Sequence, residues 1–176
     1  MMKRTYPDGA KREGNPMQRS KRILVVSHCV LNQNTVIPDE ARSPGMMRSA
    51  VEWADQQGYG LLQLPCPEFT FLGPDRPPMT REQYDTPEYR AHCRRILEPF
   101  VEQLAVYQKH GYELAGGMGI ARSPSCDPGR GVFMEELHRM ARESGVKLDF
   151  FWQIPGTEEG RFDSSDAASI YGPVNP

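Results

Sequence analysis

The first continuous apolar run is Ile23-Leu24-Val25-Val26, preceded by Arg22 and closed by Ser27. Apolarity without alternation marks a strand covered on both faces, as in a parallel sheet. A polar loop follows over residues 32–45. Met47, Ala50, Val51 and Ala54 then recur at i, i+3, i+4 and i+7, one face of a helix that Gly58 is placed to end. Residues 60–64 predict a second short strand, stopped by Pro65. Residues 69–86 are rich in Pro, Asp, Arg and Gly and read as a long loop of the kind that often serves as a lid. Thr86-Pro87 is a helix start, an N-cap followed by proline in the first turn. The stripe Cys93, Ile96, Leu97, Phe100, Val101 and Leu104 carries that helix past Pro99, where a kink is expected, to Gly111. Residues 112–120 form a third strand whose glycines allow close backbone approach. After a turn over 123–129, Phe133, Leu137, Met140 and Ala141 mark a third helix ended by Gly145, and residues 148–152 make a fourth strand.

This strict alternation predicts an α/β fold: a single-domain, Rossmann-like, three-layer arrangement with a small, mainly parallel sheet and right-handed crossovers. The domain is expected over 22–154, after a flexible basic leader at 1–21 and before a polar tail at 155–176. With 21 Lys and Arg against 23 Asp and Glu, the net charge is −2, which gives no reason to expect a nucleic acid polymer or a membrane as partner. No apolar run approaches the roughly 18 residues of a membrane span. Nothing before Ile23 resembles the apolar core of a secretory signal, so a cytoplasmic location is expected, with the four cysteines as thiols or metal ligands. A homodimer is left open.

Cysteine placement carries most of the chemistry. Cys29 follows the first strand, Cys66 the second after one proline, and Cys126 the third across a short turn. The carboxyl ends of parallel strands share one edge, where ligands bind, so three sulfurs distant in sequence should meet there. Cys93 lies in a helical stripe and reads as a small core residue. Thiolate-rich sites select zinc or iron–sulfur clusters, and three protein ligands leave one coordination position open. Spacing alone leaves zinc and a cluster both standing. Buried inert cysteines are the competing interpretation, although prolines and polar residues flank all three.

Three segments together resemble the thiouracil desulfurase family and its less characterised desulfidase relatives: Val26-Ser27-His28-Cys29-Val30-Leu31-Asn32, Leu64-Pro65-Cys66-Pro67-Glu68 and Ser123-Pro124-Ser125-Cys126. The resemblance extends from Ile23 to about Trp152. It implies a [4Fe–4S] cluster held by Cys29, Cys66 and Cys126, with zinc the less favoured occupant, and an unliganded iron that binds a substrate's sulfur. Two departures stand out. The further cysteine followed by Arg-Tyr-Asp-Gly is replaced by residues 32–36, and the glycine after Ser-Pro-Ser-Cys is Asp127.

The implied activity is non-redox hydrolysis of a small thiolated substrate, a thiocarbonyl compound such as a thiolated nucleobase, with release of sulfide. Glu68, two residues from Cys66, is the expected proton-transfer residue, its pKa raised by desolvation near a cluster. Ser123 is expected to orient substrate or water, whereas Ser125 reads as a turn residue. His28 is left off the catalytic set. Arg76 and Arg81 lie in the long loop, where they would favour a lid over the site. Two other classes use the same cysteines: a non-enzymatic metal- or sulfur-binding or sensing module, and a thiol redox protein, which the lack of a CxxC pair disfavours.

Overall fold

The computed structural model describes residues 18–148, 150–155 and 161–165. The leader expected at 1–21 and the tail at 155–176 lie largely outside the described residues. Four parallel strands, β1 (Arg22–Val26), β2 (Gly60–Gln63), β3 (Glu113–Ile120) and β4 (Phe151–Ile154), form one sheet in the order β2-β1-β3-β4. Helices α1 (His28–Leu31), α2 (Arg48–Gln57), α3 (Pro67–Leu72), α4 (Arg81–Tyr84), α5 (Pro87–Lys109) and α6 (Val132–Glu143) connect them, with 3₁₀ turns at Gln33–Thr35 and Pro38–Glu40.

Two consecutive residues of β4 fix the layering. Trp152 meets Trp53 of α2 at 5.0 Å between ring centres, while Phe151 meets His138 of α6 at 4.6 Å. Successive strand residues point to opposite faces, so α2 and α6 cover opposite sides of the sheet. α5 packs on α6 and β3. The chain is therefore an α/β protein of the Rossmann-like, three-layer kind, as its alternation predicts. Leu24, Val25 and Val26 are all buried in succession, which accounts for the unbroken apolar run of β1.

Element boundaries follow local chemistry. Thr86 accepts from the Tyr89 N–H at 3.2 Å and caps α5, which continues through Pro99 to Lys109. Gly58 ends α2 with φ +68°. Three expectations are corrected. The polar loop expected over 32–45 is preceded by the short helix α1 and itself contains the 3₁₀ turns Gln33–Thr35 and Pro38–Glu40. The long loop over 69–86 contains two short helices: α3 begins at Pro67 behind Cys66, and α4 behind Thr80, whose side chain forms a reciprocal capping box with Gln83. The fourth strand starts at Phe151 rather than 148, because the ladder with β3 opens at the Gly117–Phe151 pair. Leu148 still reaches the core, ahead of the strand.

Part of the expected tail is anchored. Phe162 is buried against Trp53 at 4.9 Å between ring centres, and its N–H donates to Ser49 Oγ at 3.0 Å. Among the described residues no helix is long and apolar enough to cross a membrane.

Candidate metal centre at the carboxyl edge of the sheet

The chain leaves β1 through Ser27 and turns at once into α1, which carries Cys29. Gln33 is buried beneath this turn and holds it from both sides: Nε2 donates to the Cys29 carbonyl at 2.7 Å, and Oε1 accepts from the Arg42 N–H at 2.8 Å. His28 ties the first two strand ends together. Its Nδ1 bonds the Leu64 carbonyl at 3.1 Å, and its own carbonyl accepts from Gln63 Nε2 at 2.9 Å. His28 is thus a brace between strands.

Cys66 occupies the N-cap of α3, where its sulfur accepts from the Phe69 N–H at 3.5 Å. Its carbonyl is held by Thr70 Oγ1 at 2.7 Å, and the same oxygen meets His92 Nε2 at 2.8 Å. Arg95 lies 2.9 Å from His92 Nδ1. A guanidinium only donates, so Nδ1 accepts and the ring proton sits on Nε2, pointing at Thr70. Burial, with Arg95 beside it, holds the His92 pKa below its ordinary value and keeps this neutral tautomer. The chain of donors Arg95, His92, Thr70 ends on the Cys66 backbone.

Cys126 hangs on the turn after β3. Ser123 Oγ accepts from the N–H groups of Cys126 (3.0 Å) and Ser125 (3.3 Å), and the Cys126 carbonyl accepts from Ile120 N at 2.8 Å. Arg122 takes a positive φ of 64°. Asp127 stabilises that bend, its carboxylate accepting from Arg122 N at 2.7 Å and Gly129 N at 3.0 Å. This bracing gives a physical reason for aspartate after the Ser-Pro-Ser-Cys segment. Ser125 is fully buried with its Oγ 2.7 Å from Tyr89 Oη, away from any role in solvent.

All five residues picked from the sequence, Cys29, Cys66, Glu68, Ser123 and Cys126, line one cavity of about 650 Å³. The loop after α3 closes one side with Arg76, Pro78 and Met79. Arg81 does not join it. It points to α6 instead, pairing with Glu135 at 2.6 Å and with Asp85 at 3.0 Å. Cys93 is fully buried in α5.

Glu68 is held in a buried ion pair. Its Oε2 lies 3.3 Å from Nε of Arg76, whose guanidinium also donates to the Thr35 carbonyl at 2.7 Å and the Gly73 carbonyl at 3.3 Å. Tyr84 is buried beside this pair, and burial followed by the Glu68 charge raises its phenol above the ordinary range. Sequence reasoning named Arg76 only as a loop residue. The partner was hidden because the pairing spans eight positions and depends on how the loop folds.

The thiols affect one another. Burial, and next the Cys66 charge, pushes Cys29 up to about 12, with Arg42 pulling the other way. Burial raises Cys66, against the Phe69 N–H, and Cys126 is driven well up by burial and by the charges of Cys29 and Cys66. Three such thiols favour their protonated form, and a metal ion bound there would displace the protons. Among the described residues no three His, Cys, Asp or Glu side chains make a ready group for a single metal ion. Three thiols on three separate strand ends line one cavity, and they are the residues that would hold a metal or cluster there.

Uncharacterized protein MJ0003 of Methanocaldococcus jannaschii is 43% identical to this chain over 130 residues, covering 73% of this chain and 83% of the relative. The chain belongs to the family of that archaeal protein. No family model matches it, and no solved structure matches it. The chemistry of this family member therefore has to be read from the cavity itself.

Proposed function

We propose that this chain is a [4Fe–4S]-dependent desulfidase that hydrolyses the C=S bond of a small thiocarbonyl compound. Three thiols from three strand ends, meeting an ion-paired carboxylate in one cavity, carry this assignment. Cys29, Cys66 and Cys126 would hold the cluster, each giving up its proton on binding. When bound, the cluster supplies an iron with an open position, a soft Lewis acid toward the substrate's sulfur.

The chain's own residues do the rest. Glu68, held by Arg76, would take a proton from the attacking water. Ser123 spends its oxygen on backbone N–H groups, and its hydroxyl proton is available to orient water or the substrate. Water supplies the new oxygen, C=S becomes C=O, and both water protons leave with the sulfur as hydrogen sulfide. No electrons are exchanged. A cytoplasmic setting, where thiols and clusters stay reduced, suits this chemistry.

Protein reconstituted anaerobically with iron and sulfide, then freed of excess sulfide, is expected to convert thiouracil to uracil with one sulfide per turnover. Glu68→Gln should lower the rate about 100-fold or more while iron content stays unchanged. Equal sulfide release by cluster-free protein, or by Glu68→Gln, would contradict the assignment.

A further inference from the structure

Ser27 presents a buried hydroxyl for which the fold provides no oxygen or nitrogen partner. The residue is 1% exposed, and its Oγ has no oxygen or nitrogen hydrogen-bond partner among the described residues. Its backbone is fully committed, the N–H donating to Met118 O at 3.0 Å and the carbonyl accepting from Val30 N at 3.1 Å. The side chain therefore does not serve the turn from β1 into α1. Its polar neighbour is the Cys126 sulfur, toward which the hydroxyl is placed to donate.

A hydroxyl buried without a partner destabilises a folded protein, and alanine at the same place would remove that cost without leaving a hole. A serine buried here points to an acceptor stronger than the Cys126 thiol of the empty protein. A protonated thiol is a poor acceptor, whereas a metal-bound thiolate is a strong one. We infer that Ser27 is a tuning residue that donates a hydrogen bond to the metal-bound sulfur of Cys126. The inference rests on the cluster assignment above. Hydrogen bonds to the sulfurs of a cluster set its potential, and a donor draws electron density from the thiolate and thereby from the iron. Ser27 would then sharpen the iron's attraction for a soft sulfur ligand without touching the substrate.

Wild type and Ser27→Ala, full-length and reconstituted anaerobically with iron and sulfide, test this with readouts other than turnover. Iron content should match, the reduction potential of Ser27→Ala should shift to more negative values, and its visible charge-transfer bands should move. The cluster-free variant should unfold at the same temperature as wild type or higher. Full loading with unchanged potential and spectrum would overturn the role of Ser27 while leaving the cluster in place. A lower unfolding temperature for the cluster-free variant would also overturn it, because the hydroxyl would then be structural. Failure of wild type to take up iron would overturn both inferences at once, and is recognised before any variant is compared.

Discussion

Glu68 and Arg76 face each other across the cavity wall at 3.3 Å, with their side chains only 13% and 3% exposed. The same guanidinium grips the Thr35 carbonyl at 2.7 Å, so one side chain orients the carboxylate and pins the loop after α3 to the turn after α1. Removing one partner of a buried pair leaves an uncompensated charge and costs about 3–5 kcal/mol. Arg76→Ala is expected to lose stability on that scale in urea denaturation. Arg76→Met combined with Glu68→Gln should recover much of it. A loss in the double variant equal to the sum of the two single losses would show that the pair is not coupled.

Ser125 and Tyr89 share a buried hydrogen bond of 2.7 Å directly behind the Cys126 turn. Ser125→Ala strands the Tyr89 hydroxyl and should cost about 1–3 kcal/mol. Adding Tyr89→Phe removes the stranded group, so the double variant should be less destabilised than the sum of the singles. A double-mutant cycle with no coupling would refute the bond.

Gly119 is where β3 passes under the cysteine turn. A Cβ there would fall 2.3 Å from the Cys126 carbonyl and 2.8 Å from Cγ of Pro128. Gly119→Ala must therefore move the Cys126 turn. It is expected to lower bound iron after reconstitution more than it changes the far-UV circular dichroism of the sheet and helices. Wild-type loading in this variant would mean that the turn tolerates displacement.

Glu136 is buried on α6 among Arg90 at 2.9 Å, Arg94 at 3.3 Å and Arg139. Burial alone would raise its carboxyl, but Arg90 and Arg139, with Arg94, outweigh it and hold the pKa below the ordinary 4.5. A depressed folded-state pKa gives stability that is present above about 4.5 and is lost as pH falls through the folded value. The stability gap between wild type and Glu136→Gln should be constant near neutrality and shrink below about pH 4.5. A gap independent of pH down to 3 would contradict the ion-pair account.

Much of this architecture is legible in the chain. Continuous apolarity at Leu24–Val26 is what a strand covered on both faces requires, and Trp152 and Phe151 packing to opposite layers is the consequence. Convergence of Cys29, Cys66 and Cys126 on one cavity follows from parallel topology, because each cysteine sits just past a strand end. The helices α3 and α4 were hidden because their signals lie in caps rather than in apolar stripes. Cys66 acts as N-cap although cysteine is not a preferred capping residue, and the Thr80–Gln83 box stands in a segment of prolines and charges. The roles proposed for Arg76 and Ser27 were equally hidden. They rest on Arg76 meeting Glu68 and on Ser27 Oγ having no oxygen or nitrogen partner among the described residues, neither of which has any periodic signature.

Iron and labile sulfide, measured after anaerobic reconstitution of wild type and of the Cys29, Cys66, Cys93 and Cys126 alanine variants, test the central claim most directly. Wild type and Cys93→Ala should hold four irons and four sulfides per chain with matching visible spectra, and each of the other three variants should lose the intact cluster. Equal loading in all five proteins, or none in wild type, would contradict the three-cysteine centre and the desulfidase chemistry built on it.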